Sequence, residues 1–526
     1  MWRYQISAGF VLLLSFWSLA EAGKLLVVPQ DGSHWLSMRV VAEKLWERGH
    51  DIVAVIPEAS LLMKSSENFT IKTYSVPYSQ ESLDRHYNSI GHELVVFTPQ
   101  AFLEKLPRMT NITAMFYDSC KRLLADKQLI KYLEESKFDA VFMDPFFPCG
   151  QIVAEYLSVP SVYLLRGLPC SLDFHATLCP NPPSYVPQFF TRYTDLMTFP
   201  QRVHNLVFSL SSSLVCFLLY SPYDRLIKEF LQREVTLLEL LSHAAIWLMK
   251  FDFVFEYPRP VMPNMVFIGG ISCTQERALS QEFEAIVNAS GEHGIVVFSL
   301  GSMVSEIPVQ RAIEITKALG TVPQTVLWRY TGEVPPNLPK NVKLVKWLPQ
   351  NDLLAHPKTR AFITHGGSHG IYEGICNAVP MVLMPLFGDQ MDNAKRIESR
   401  GAGVTLNILE MTSKDISDAL HAVINDKKYK ENIKRLSDLH LDRPMHPLDL
   451  AVYWVEFVMR HKGAPHLRPA AHELNWIQYH SLDVIAFLLG VVLLSLFISF
   501  KCCVYCFRRC FPKKGKTSRP TKSKTH

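Results

Sequence analysis

The segment that decides the fold runs from Trp347 to Gln390 and reads WLPQNDLLAHPKTRAFITHGGSHGIYEGICNAVPMVLMPLFGDQ. Its pattern predicts two βα units, in which AFIT is a buried strand, HGGSHG a glycine turn and IYEGICNAV a helix that Pro380 stops. MVLMP is the next strand, and LFGDQ is the loop after it. A strand, a glycine turn and a helix start together place backbone N–H groups and a helix dipole where a phosphate can bind. The segment is therefore typical of the ligand-binding edge of an open α/β sheet.

The glycine turn by itself does not identify the ligand. A dinucleotide site would carry the fingerprint G-x-G-x-x-G. His365 stands where that pattern needs its first glycine, before Gly367 and Gly370. The residues around the turn therefore have to distinguish a dinucleotide from other phosphate ligands.

The wider pattern resembles the nucleotide-sugar signature of UDP-glycosyltransferases in residue types, spacing and length. The matching residues are Trp347, Pro349, Gln350, His365, Gly367, Glu373, Pro380, Pro385, Asp389 and Gln390. The resemblance extends over most of the chain and is closest to vertebrate UDP-glucuronosyltransferases of family 1 (1A type). The identifying runs are FSLGSMVSEIP, LVKWLPQNDLL, PLFGDQMDNAKR and EFVMRHKGAPHLRPAAH. One departure is Ser368-His369, which stands where plant relatives carry Trp-Asn.

The residue types of the signature suit a UDP-sugar. Trp347 offers a flat face to uracil, and stacking of a base on an aromatic ring is worth about 1–3 kcal/mol. Gln350 and Glu373 can bind ribose hydroxyls, and Asp389 and Gln390 can bind sugar hydroxyls. The glycine turn faces the diphosphate. The other donor-binding residues that the resemblance implies are Ser302, Arg329, His365, Gly367, His369 and Gly370.

The length and the net charge of the chain limit the classes of protein to which it can belong. The chain has 526 residues, which is enough for two domains that each have a core. Its formal net charge is +5, but nine Lys or Arg and no Asp or Glu lie from Lys501 to the end. Subtracting these nine from +5 leaves −4 for the rest of the chain. A mildly acidic body argues against nucleic acid as a partner.

Both ends of the chain carry targeting patterns. Arg3, the apolar run GFVLLLSFW and Ala20-Glu21-Ala22 predict a cleaved signal peptide over residues 1–22, because the run is too short to anchor in a membrane. Residues 482–500 are long and apolar enough to span a bilayer, with a buried core helix as the alternative. The basic tail, 501–526, favours a cytosolic tail and a lumenal body.

The tail ends in KSKTH, which looks like a dilysine retrieval signal of endoplasmic reticulum membrane proteins. We therefore expect a single-pass type I protein of that membrane. Three sequons, at Asn68, Asn111 and Asn288, agree with a lumenal body.

The cysteines divide between the tail and the body. Four lie in the tail, where they are open to acylation and lack zinc-site spacing: Cys502, Cys503, Cys506 and Cys510. The remaining seven of the 11 cysteines are an odd number, so at least one thiol of the body stays unpaired. Cys170 and Cys179 are one pair that the spacing permits.

The N-terminal half opens with a βαβ unit: strand LLVVP, turn DGSH, helix WLSMRVVAEKLWERG and strand DIVAVIP. His34 lies in the turn after the first strand, and Asp144 ends a later strand, FDAVFMD. Because the carboxyl ends of parallel strands share one edge, these two can form a base and its orienting group. By position alone, His34 is a solvated loop residue and Asp144 a helix cap. The resemblance implies that His34 is the catalytic base and that Asp144 holds it.

The domain plan follows from these patterns. We expect an acceptor (aglycone) domain at 23–275, a donor domain at 276–440 and C-terminal helices at 441–481 that, in the family, cross back to the first domain. GIVVFSLGSMV predicts the first strand of the second sheet, with Gly301-Ser302 between that strand and a helix. Residues 185–223 are aromatic and apolar, which favours helices that cover the acceptor cleft or lie on a membrane surface. Plain core helices are an equal alternative.

The resemblance implies an α/β fold of the GT-B class, with two facing Rossmann-like, doubly wound domains and a C-terminal transmembrane helix. It further implies transfer of glucuronate from UDP-glucuronate, as co-substrate, to small lipophilic acceptors such as phenols, in detoxification. His34 would take the acceptor proton, Asp144 would stabilise the imidazolium, and inversion would give a β-glucuronide. No bound cofactor is expected, and without a suitably placed Asp-x-Asp run no essential metal ion either.

Two alternatives stay open. One is transfer of a different sugar from its UDP donor, and the other is a non-catalytic lumenal scaffolding protein, which would need neither His34 nor Asp144. A glucuronate donor needs a cation for its carboxylate, and Lys250, Arg259 and His369 are candidates. Homo- or hetero-oligomers with related transferases are also open.

Overall fold

The structure is a computed structural model that describes residues 22–63, 66–85, 114–273 and 277–511. The predicted signal peptide (all but its last residue), the sequon at Asn111 and the retrieval signal lie outside the described residues. The chain divides into two compact units, residues 1–467 and 468–526. The first unit contains two parallel β-sheets, and the second contains a long apolar helix.

The sheet of the N-terminal half has seven strands, all parallel, in the order β3-β2-β1-β4-β5-β6-β7. The chain thus adds strands on one side of β1 and then crosses to the other side with β4. The strands are β1 (Lys24–Val28), β2 (Asp51–Pro57), β3 (Thr70–Tyr74), β4 (Ala140–Met143), β5 (Ser161–Leu165), β6 (Ile246–Met249) and β7 (Met265–Phe267).

The second sheet has six parallel strands in the order β10-β9-β8-β11-β12-β13, with its own crossover between β8 and β11. These strands are β8 (Ile295–Ser299), β9 (Thr325–Arg329), β10 (Val342–Val345), β11 (Thr359–Thr364), β12 (Met381–Leu383) and β13 (Gly403–Thr405). Both sheets therefore have the doubly wound arrangement in which ligands bind where the strand order reverses.

Helices connect the strands and cover both faces of each sheet. In the N-terminal half they are α1 (Ser33–Glu47), α2 (Lys127–Glu135), α3 (Cys149–Leu157), α4 (Leu172–Thr177), α5 (Phe199–Leu231) and α6 (Leu237–Ser242). In the rest of the chain they are α7 (Gln281–Ala289), α8 (Val309–Leu319), α9 (Gln350–Ala355), α10 (Ser368–Cys376), α11 (Gln390–Ser399), α12 (Ser413–Asn425), α13 (Lys427–Leu441), α14 (Pro447–His461), α15 (Trp476–Tyr479) and α16 (Leu482–Cys510). Residues 80–85 and 114–125 are also helical.

The central strands are apolar on both faces because helices cover both sides of a parallel sheet. All residues of β4, β6 and β8 are buried. Helix α14 belongs to the core of the first sheet, where Val455 and Val458 pack with residues of β1, β2 and α1. Arg48 fixes this helix with two hydrogen bonds to Glu456, at 2.6 and 3.0 Å. The chain therefore returns to its N-terminal half after completing the second sheet.

The predicted strands are present, and the differences concern where helices begin. No helix follows Ser302 directly, because α8 begins at Val309. Pro308 disfavours helical backbone at Ile307, so residues 301–308 form a loop. The polar connector after Ile271 contains one helix, α7. The helix predicted from Ile371 starts earlier, at Ser368.

Residues 185–198 of the apolar segment are not helical, and residues 199–223 form the first part of one 33-residue helix, α5, which begins behind a capping box of Thr198 and Gln201. The end of this helix is buried at Tyr223 and Ile227. Its first half exposes large apolar side chains instead: Phe199, Val203, Leu206, Val207, Leu210, Leu214 and Phe217. The interpretation as plain core helices is therefore wrong for this half of the helix.

Three disulfide bonds join Cys120 to Cys149, Cys170 to Cys216, and Cys273 to Cys376. The predicted pair Cys170–Cys179 is wrong, because α5 brings Cys216 to Cys170. In the described part of the body, Cys179 is the cysteine left free, and it is buried. The prediction of an unpaired thiol is confirmed.

Two of the three sequons lie within described residues. Asn68 is half-buried in the loop before β3. Asn288 is exposed near the end of α7, and its Nδ2 donates to Glu284 Oε1 at 3.2 Å. Glycosylation of these positions stays a prediction.

The second unit contains α16, whose mean hydropathy of 2.6 and length suit a membrane-spanning helix. None of its most apolar stretch is buried. The helix continues ten residues beyond the predicted span of 482–500. Its last turns contain the four tail cysteines, which are exposed and free.

Candidate active site

His34 and Asp144 meet at the strand crossover of the first sheet. The two strands pair directly, with Val28 opposite Met143. His34 lies in the first turn of α1, and its Nδ1 is 2.5 Å from Asp144 Oδ2. The Asp144 side chain is 1% exposed, whereas that of His34 is 35% exposed. A buried carboxylate thus fixes one ring nitrogen and leaves Nε2 free on the open side.

Local hydrogen bonds hold this pair in place. Asp31 accepts from the backbone N–H groups of Gly32 and Leu61, each at 2.6 Å, which ties the turn after β1 to the loop after β2. The second carboxylate oxygen of Asp144 accepts from the backbone N–H of Phe146 at 2.9 Å. The Phe146 ring stands edge-on to the His34 ring at 6.0 Å. Sequence reasoning did not identify the role of Asp31 in this turn.

The crossover of the second sheet holds a different constellation. Gly301 follows β8 and His365 follows β11, two strands that pair through Ser299 and Thr364. The His365 ring lies between two glycines: an added Cβ would be 2.6 Å from it at Gly301 and 2.5 Å at Gly367. Gly301 also has φ +91°, a conformation that favours glycine. Both glycines therefore make room for the histidine.

His365 is kept neutral. Loss of hydration lowers its pKa to about 4, and the positive charge of Arg329 acts in the same direction against the opposing influence of Asp389. Its Nδ1 is buried and has no hydrogen-bond partner among the residues that the structure describes. At neutral pH the ring can donate or accept a hydrogen bond, but it is not a cation.

Arg329 and Trp347 lie beside this turn. Arg329 donates to the carbonyl oxygens of Gly301 and, at 3.3 Å, of Ser302, so it shapes the loop rather than pointing to solvent. Its guanidinium carbon lies 5.3 Å from the centroid of the Trp347 ring. Trp347 is 58% exposed. One aromatic face thus lies near a cation while much of the ring remains open.

Three predicted donor residues form a second group at the start of α10. Gln350 donates to Glu373 Oε2, and His369 Nε2 is 3.5 Å from Glu373 Oε1. Glu373 is buried, whereas the His369 side chain is 30% exposed. Gly370 lies next to this group, since an added Cβ there would be 3.5 Å from Gln350 Nε2. The group is suited to hydroxyl recognition because carboxylate and amide oxygens accept hydrogen bonds.

Asp389 forms a third group at the start of α11. Asn393, one helical turn on, donates to Asp389 Oδ2 at 2.8 Å and to the carbonyl of Gly366 at 3.0 Å. Arg166 Nε lies 4.0 Å from the same carboxylate and, within the described part of the chain, has no hydrogen-bond partner. Gln390 uses its side-chain oxygen on the backbone of Leu386 and Phe387, so its amide nitrogen is the group left to contact a ligand.

Lys250 lies at the end of β6, buried, between the two sheets' ligand-binding edges. Its Nζ donates to Ser37 Oγ at 3.2 Å. Burial lowers the pKa of Lys250 from its usual value, and the charges of Asp144 and Asp389 oppose that shift. Lys250 is therefore a buried amine within electrostatic reach of both groups.

Arg259 lies elsewhere, in a buried charge cluster around Glu256. Glu256 accepts from Arg166 at 2.8 Å and from Arg396 at 2.7 Å. These cations hold the pKa of Glu256 far below its usual range even though burial opposes this. Arg259 lies over the rings of Phe174 and Phe251. The structure thus does not bring Arg259 to the Asp389 group.

Sequence reasoning missed Arg166 and Asn393. Arg166 directly follows the apolar strand β5, the same strand-end signal that singled out Asp144. Asn393 stands four residues after Asp389, the spacing of neighbours on one helix face. Both signals were present in the sequence but were too common to stand out without the fold.

The two doubly wound parallel sheets form a fold of the GT-B class. The chain is similar to the calicheamicin glycosyltransferase CalG4, with TM-score 0.57 and 17% identity over 84% of this chain and 99% of that one. It is also similar to Os79 of O. sativa in complex with U2F and trichothecene, with TM-score 0.58 and 16% identity over 83% of this chain and all of that one. At these identities the likeness concerns the fold alone.

Sequence comparison gives the family. The model of the family described as "UDP-glucoronosyl and UDP-glucosyl transferase" matches residues 23–517. The chain is 61% identical to human UDP-glucuronosyltransferase 1A1, over 97% of this chain and 96% of that protein. It is 59% identical to human UDP-glucuronosyltransferase 1A3, over 99% and 98%. The chain belongs to this family of UDP-sugar-dependent transferases.

Proposed function

We propose that the protein transfers glucuronate from UDP-glucuronate to small lipophilic acceptors such as phenols, with inversion at the anomeric carbon. The N-terminal sheet would bind the acceptor and the second sheet the UDP-sugar. Residues 23–275, 276–440 and 441–481 would then be the acceptor domain, the donor domain and the returning helices. The donor assignment follows the names of the relatives, which are UDP-glucuronosyltransferases.

The observation that carries the proposal is the closeness of the two crossovers. The turn before His34 touches the loop after β8, since an added Cβ at Gly32 would be 3.5 Å from Met303 Sδ. The charges of Asp144 and of Asp389 both act on the pKa of Lys250. A base and a phosphate-binding turn within one cleft suit transfer between two bound molecules.

The chemistry of the base follows from its hydrogen bond. With the Nδ1 proton donated to Asp144, Nε2 carries a lone pair and can take the proton of the acceptor hydroxyl. The acceptor oxygen then bonds to the anomeric carbon, and the bond from that carbon to the UDP oxygen breaks. The buried Asp144 carboxylate stabilises the imidazolium that forms. Attack from the face opposite UDP converts an α-linked donor into a β-glucuronide.

The donor side would work without a protonated histidine. The backbone N–H groups of the 365–370 turn and the start of α10 meet the diphosphate, and the neutral His365 adds a hydrogen bond there. Ser302 and Arg329 shape the facing loop. Trp347 would stack on uracil, Gln350 and Glu373 would bind the ribose, and Asp389 the sugar hydroxyls. His369, at the ribose group, is then less suited to the carboxylate.

Lys250 is the residue that we assign to the donor carboxylate. A buried carboxylate without a charged or hydrogen-bonding partner is costly. Lys250 is buried within reach of the charge of Asp389, and Arg166 is buried with its Nε 4.0 Å from that carboxylate. Arg259, the other candidate, lies over Phe174 and Phe251, where the charges of Glu256 and Asp173 act on it rather than that of Asp389. A donor with a neutral sugar would leave the charge of Lys250 without this role.

The location is proposed from the ends of the chain. We infer a single-pass membrane protein of the endoplasmic reticulum with a lumenal body, with α16 as the span and the basic tail in the cytosol. Homo- or hetero-oligomers with related transferases fit the same setting. Protease treatment of sealed microsomes checks the orientation: the tail is expected to be removed and the body protected, and the reverse result contradicts it.

The decisive experiment is a donor competition in microsomes that contain the full chain. UDP-glucuronate and UDP-glucose are offered together with naphthol as the acceptor, with and without EDTA. We expect a glucuronide that β-glucuronidase cleaves, and a rate that EDTA leaves unchanged. Preference for UDP-glucose, or a product that resists β-glucuronidase, contradicts the donor or the stereochemistry. Loss of activity in EDTA that added Mg²⁺ restores contradicts metal independence.

A further inference from the structure

A pocket outside the catalytic cleft lies between helices α4, α5 and α6. Its volume is about 210 Å³. Its walls consist mainly of the Cys170–Cys216 disulfide and of apolar or aromatic side chains. The residues used below are Leu172, Phe217, Tyr220, Asp224, Leu237 and Leu238.

The size of the pocket allows a ligand rather than a single water molecule. An engineered apolar cavity of about 150 Å³ stays dry and binds benzene. The pocket is larger than that and partly open, because Phe217 and Leu238 at its rim are 65% and 41% exposed. A molecule with one or two rings, or the end of an alkyl chain, therefore fits through the rim.

The polarity of the walls narrows the class of ligand. Asp224 Oδ1 accepts from the backbone N–H of Leu237 at 2.8 Å, and Thr236 Oγ1 accepts from Glu239 N at 3.2 Å. These polar groups cap helix α6. The Asp224 carboxylate nevertheless disfavours an anionic ligand nearby. The walls therefore match an uncharged, apolar ligand.

The pocket adjoins the catalytic side of the N-terminal sheet through a series of ring contacts. From Tyr220, on the pocket wall, the series continues through Tyr223 and Tyr117 to the neighbouring Phe116, and then through Phe147 and Phe146 to His34. The centroid distances between contacting rings lie between 3.9 and 6.2 Å. On its outer side the pocket meets the exposed apolar half of α5 at Phe217. It thus lies between an apolar surface and the catalytic base.

We propose that this pocket is a second binding site, which holds the uncharged apolar part of a lipophilic molecule outside the cleft of His34. Two kinds of molecule have such an uncharged apolar part: an acceptor-type molecule has it in its ring system, and a lipid has it at the end of its acyl chain. The assignment to acceptor-type molecules rests on the proposed function. Binding itself does not, because it needs no UDP-sugar and no transfer.

The test uses the full chain in phosphatidylcholine nanodiscs without UDP-sugar. The photoprobe is phenyl(trifluoromethyl)diazirine, and labelled residues are located by peptide mass spectrometry. We expect labelling at Tyr220, Phe217 or Leu237 that excess naphthol reduces about tenfold. Labelling at Leu206, on the exposed part of α5, serves as the internal reference, and excess naphthol is expected to leave it unchanged.

Two filling variants sharpen the test. Leu172→Trp fills the pocket from inside and Leu238→Trp narrows its rim, so that one remains informative if the other does not fold. Either is expected to remove pocket labelling, whereas Leu206→Trp, on the exposed half of α5, leaves it intact. Pocket labelling no stronger than that at Leu206, or unaffected by both filling variants, overturns the proposal.

A parallel sample with a phosphatidylcholine that carries a diazirine in its acyl chain separates the two sources. Acyl-chain labelling of Tyr220 that naphthol does not displace assigns the site to lipid. Displacement by naphthol assigns it to acceptor-type molecules. If neither probe labels Tyr220, the proposed binding site is overturned. Failure of the transfer assay would leave each of these readouts unchanged, so the two proposals fail separately.

Discussion

The two strand crossovers have the same topology and use a histidine in opposite ways. Between β1 and β4, His34 is 35% exposed and bonded to the buried carboxylate of Asp144. Between β8 and β11, His365 lies between Gly301 and Gly367, and its pKa is lowered to about 4. The Asp144 carboxylate fixes the orientation of the first ring through Nδ1, whereas loss of hydration between the glycines disfavours the charged form of the second. The surroundings, rather than the position after a strand, thus suit one histidine to accept a proton and the other to remain neutral.

The largest expected effect is on the first crossover. His34→Ala removes the proton acceptor, and we expect kcat to fall by about 10²–10⁴-fold, the range of general-base catalysis. UDP affinity should stay unchanged, because His34 belongs to the acceptor side. Turnover and UDP binding are measured on one preparation, with the exposed His421→Ala as the control. Undiminished turnover, or an equal loss of UDP binding, contradicts the assigned role.

The next effect concerns the cation between the crossovers. Lys250→Met should weaken UDP-glucuronate by roughly 10–100-fold, since a hydrogen bond to a charged group is worth about 1.5–3 kcal/mol. Affinity for UDP itself should not change. Arg259→Met is the matched control and should leave the ratio of UDP-glucuronate to UDP-glucose use unchanged. If only the Arg259 variant alters that ratio, the carboxylate contact has been assigned to the wrong cation.

A smaller effect, on the pH dependence of folding stability, tests the second crossover. Since the pKa of His365 is about 4 folded and about 6.5 when unperturbed, the unfolded chain binds more protons between these values. The stability contributed by neutral His365 is therefore complete above about pH 6.5 and lost as the pH falls toward 4. At about 1.36 kcal/mol per pKa unit the upper bound is about 3 kcal/mol, which its partial exposure reduces.

The measurement is the thermal unfolding midpoint of the wild type and of His365→Gln between pH 7 and pH 4. The wild type should lose more stability on acidification than the variant. An exposed histidine replaced in the same way, His421→Gln, should follow the wild type. Parallel curves for all three proteins would mean that His365 is not neutralised by its surroundings.

The smallest effect is expected at Trp347. Its ring is 58% exposed and lies near Arg329, so Trp347→Ala should cost about 1 kcal/mol of UDP affinity, the low end of the stacking range. That loss is close to fivefold. Trp476→Ala, at a tryptophan that is 69% exposed in the second unit, is the control. Unchanged UDP binding in Trp347→Ala would mean that Trp347 does not stack on uracil.

Much of the site was predictable because its residues follow strands. Asp144, His365 and Asp389 stand at or near the carboxyl ends of apolar runs, and parallel strands bring those ends to one edge. Arg166 follows a strand in the same way, and Asn393 stands one helical turn after Asp389, yet both were missed. Such signals are common in any sequence, and only the contacts of both residues with the Asp389 carboxylate single them out.

The sequence by itself determined the two α/β sheets, the apolar C-terminal helix and the family. These depend on local periodicity and on motifs of fixed spacing. Tertiary structure decided which residues share a site. It separated Lys250 from Arg259, paired Cys170 with Cys216 rather than Cys179, and lowered the pKa of His365 while bonding His34 to Asp144. The physical reason is that pairing, burial and pKa depend on neighbours that are distant in the chain, and local pattern does not contain those neighbours.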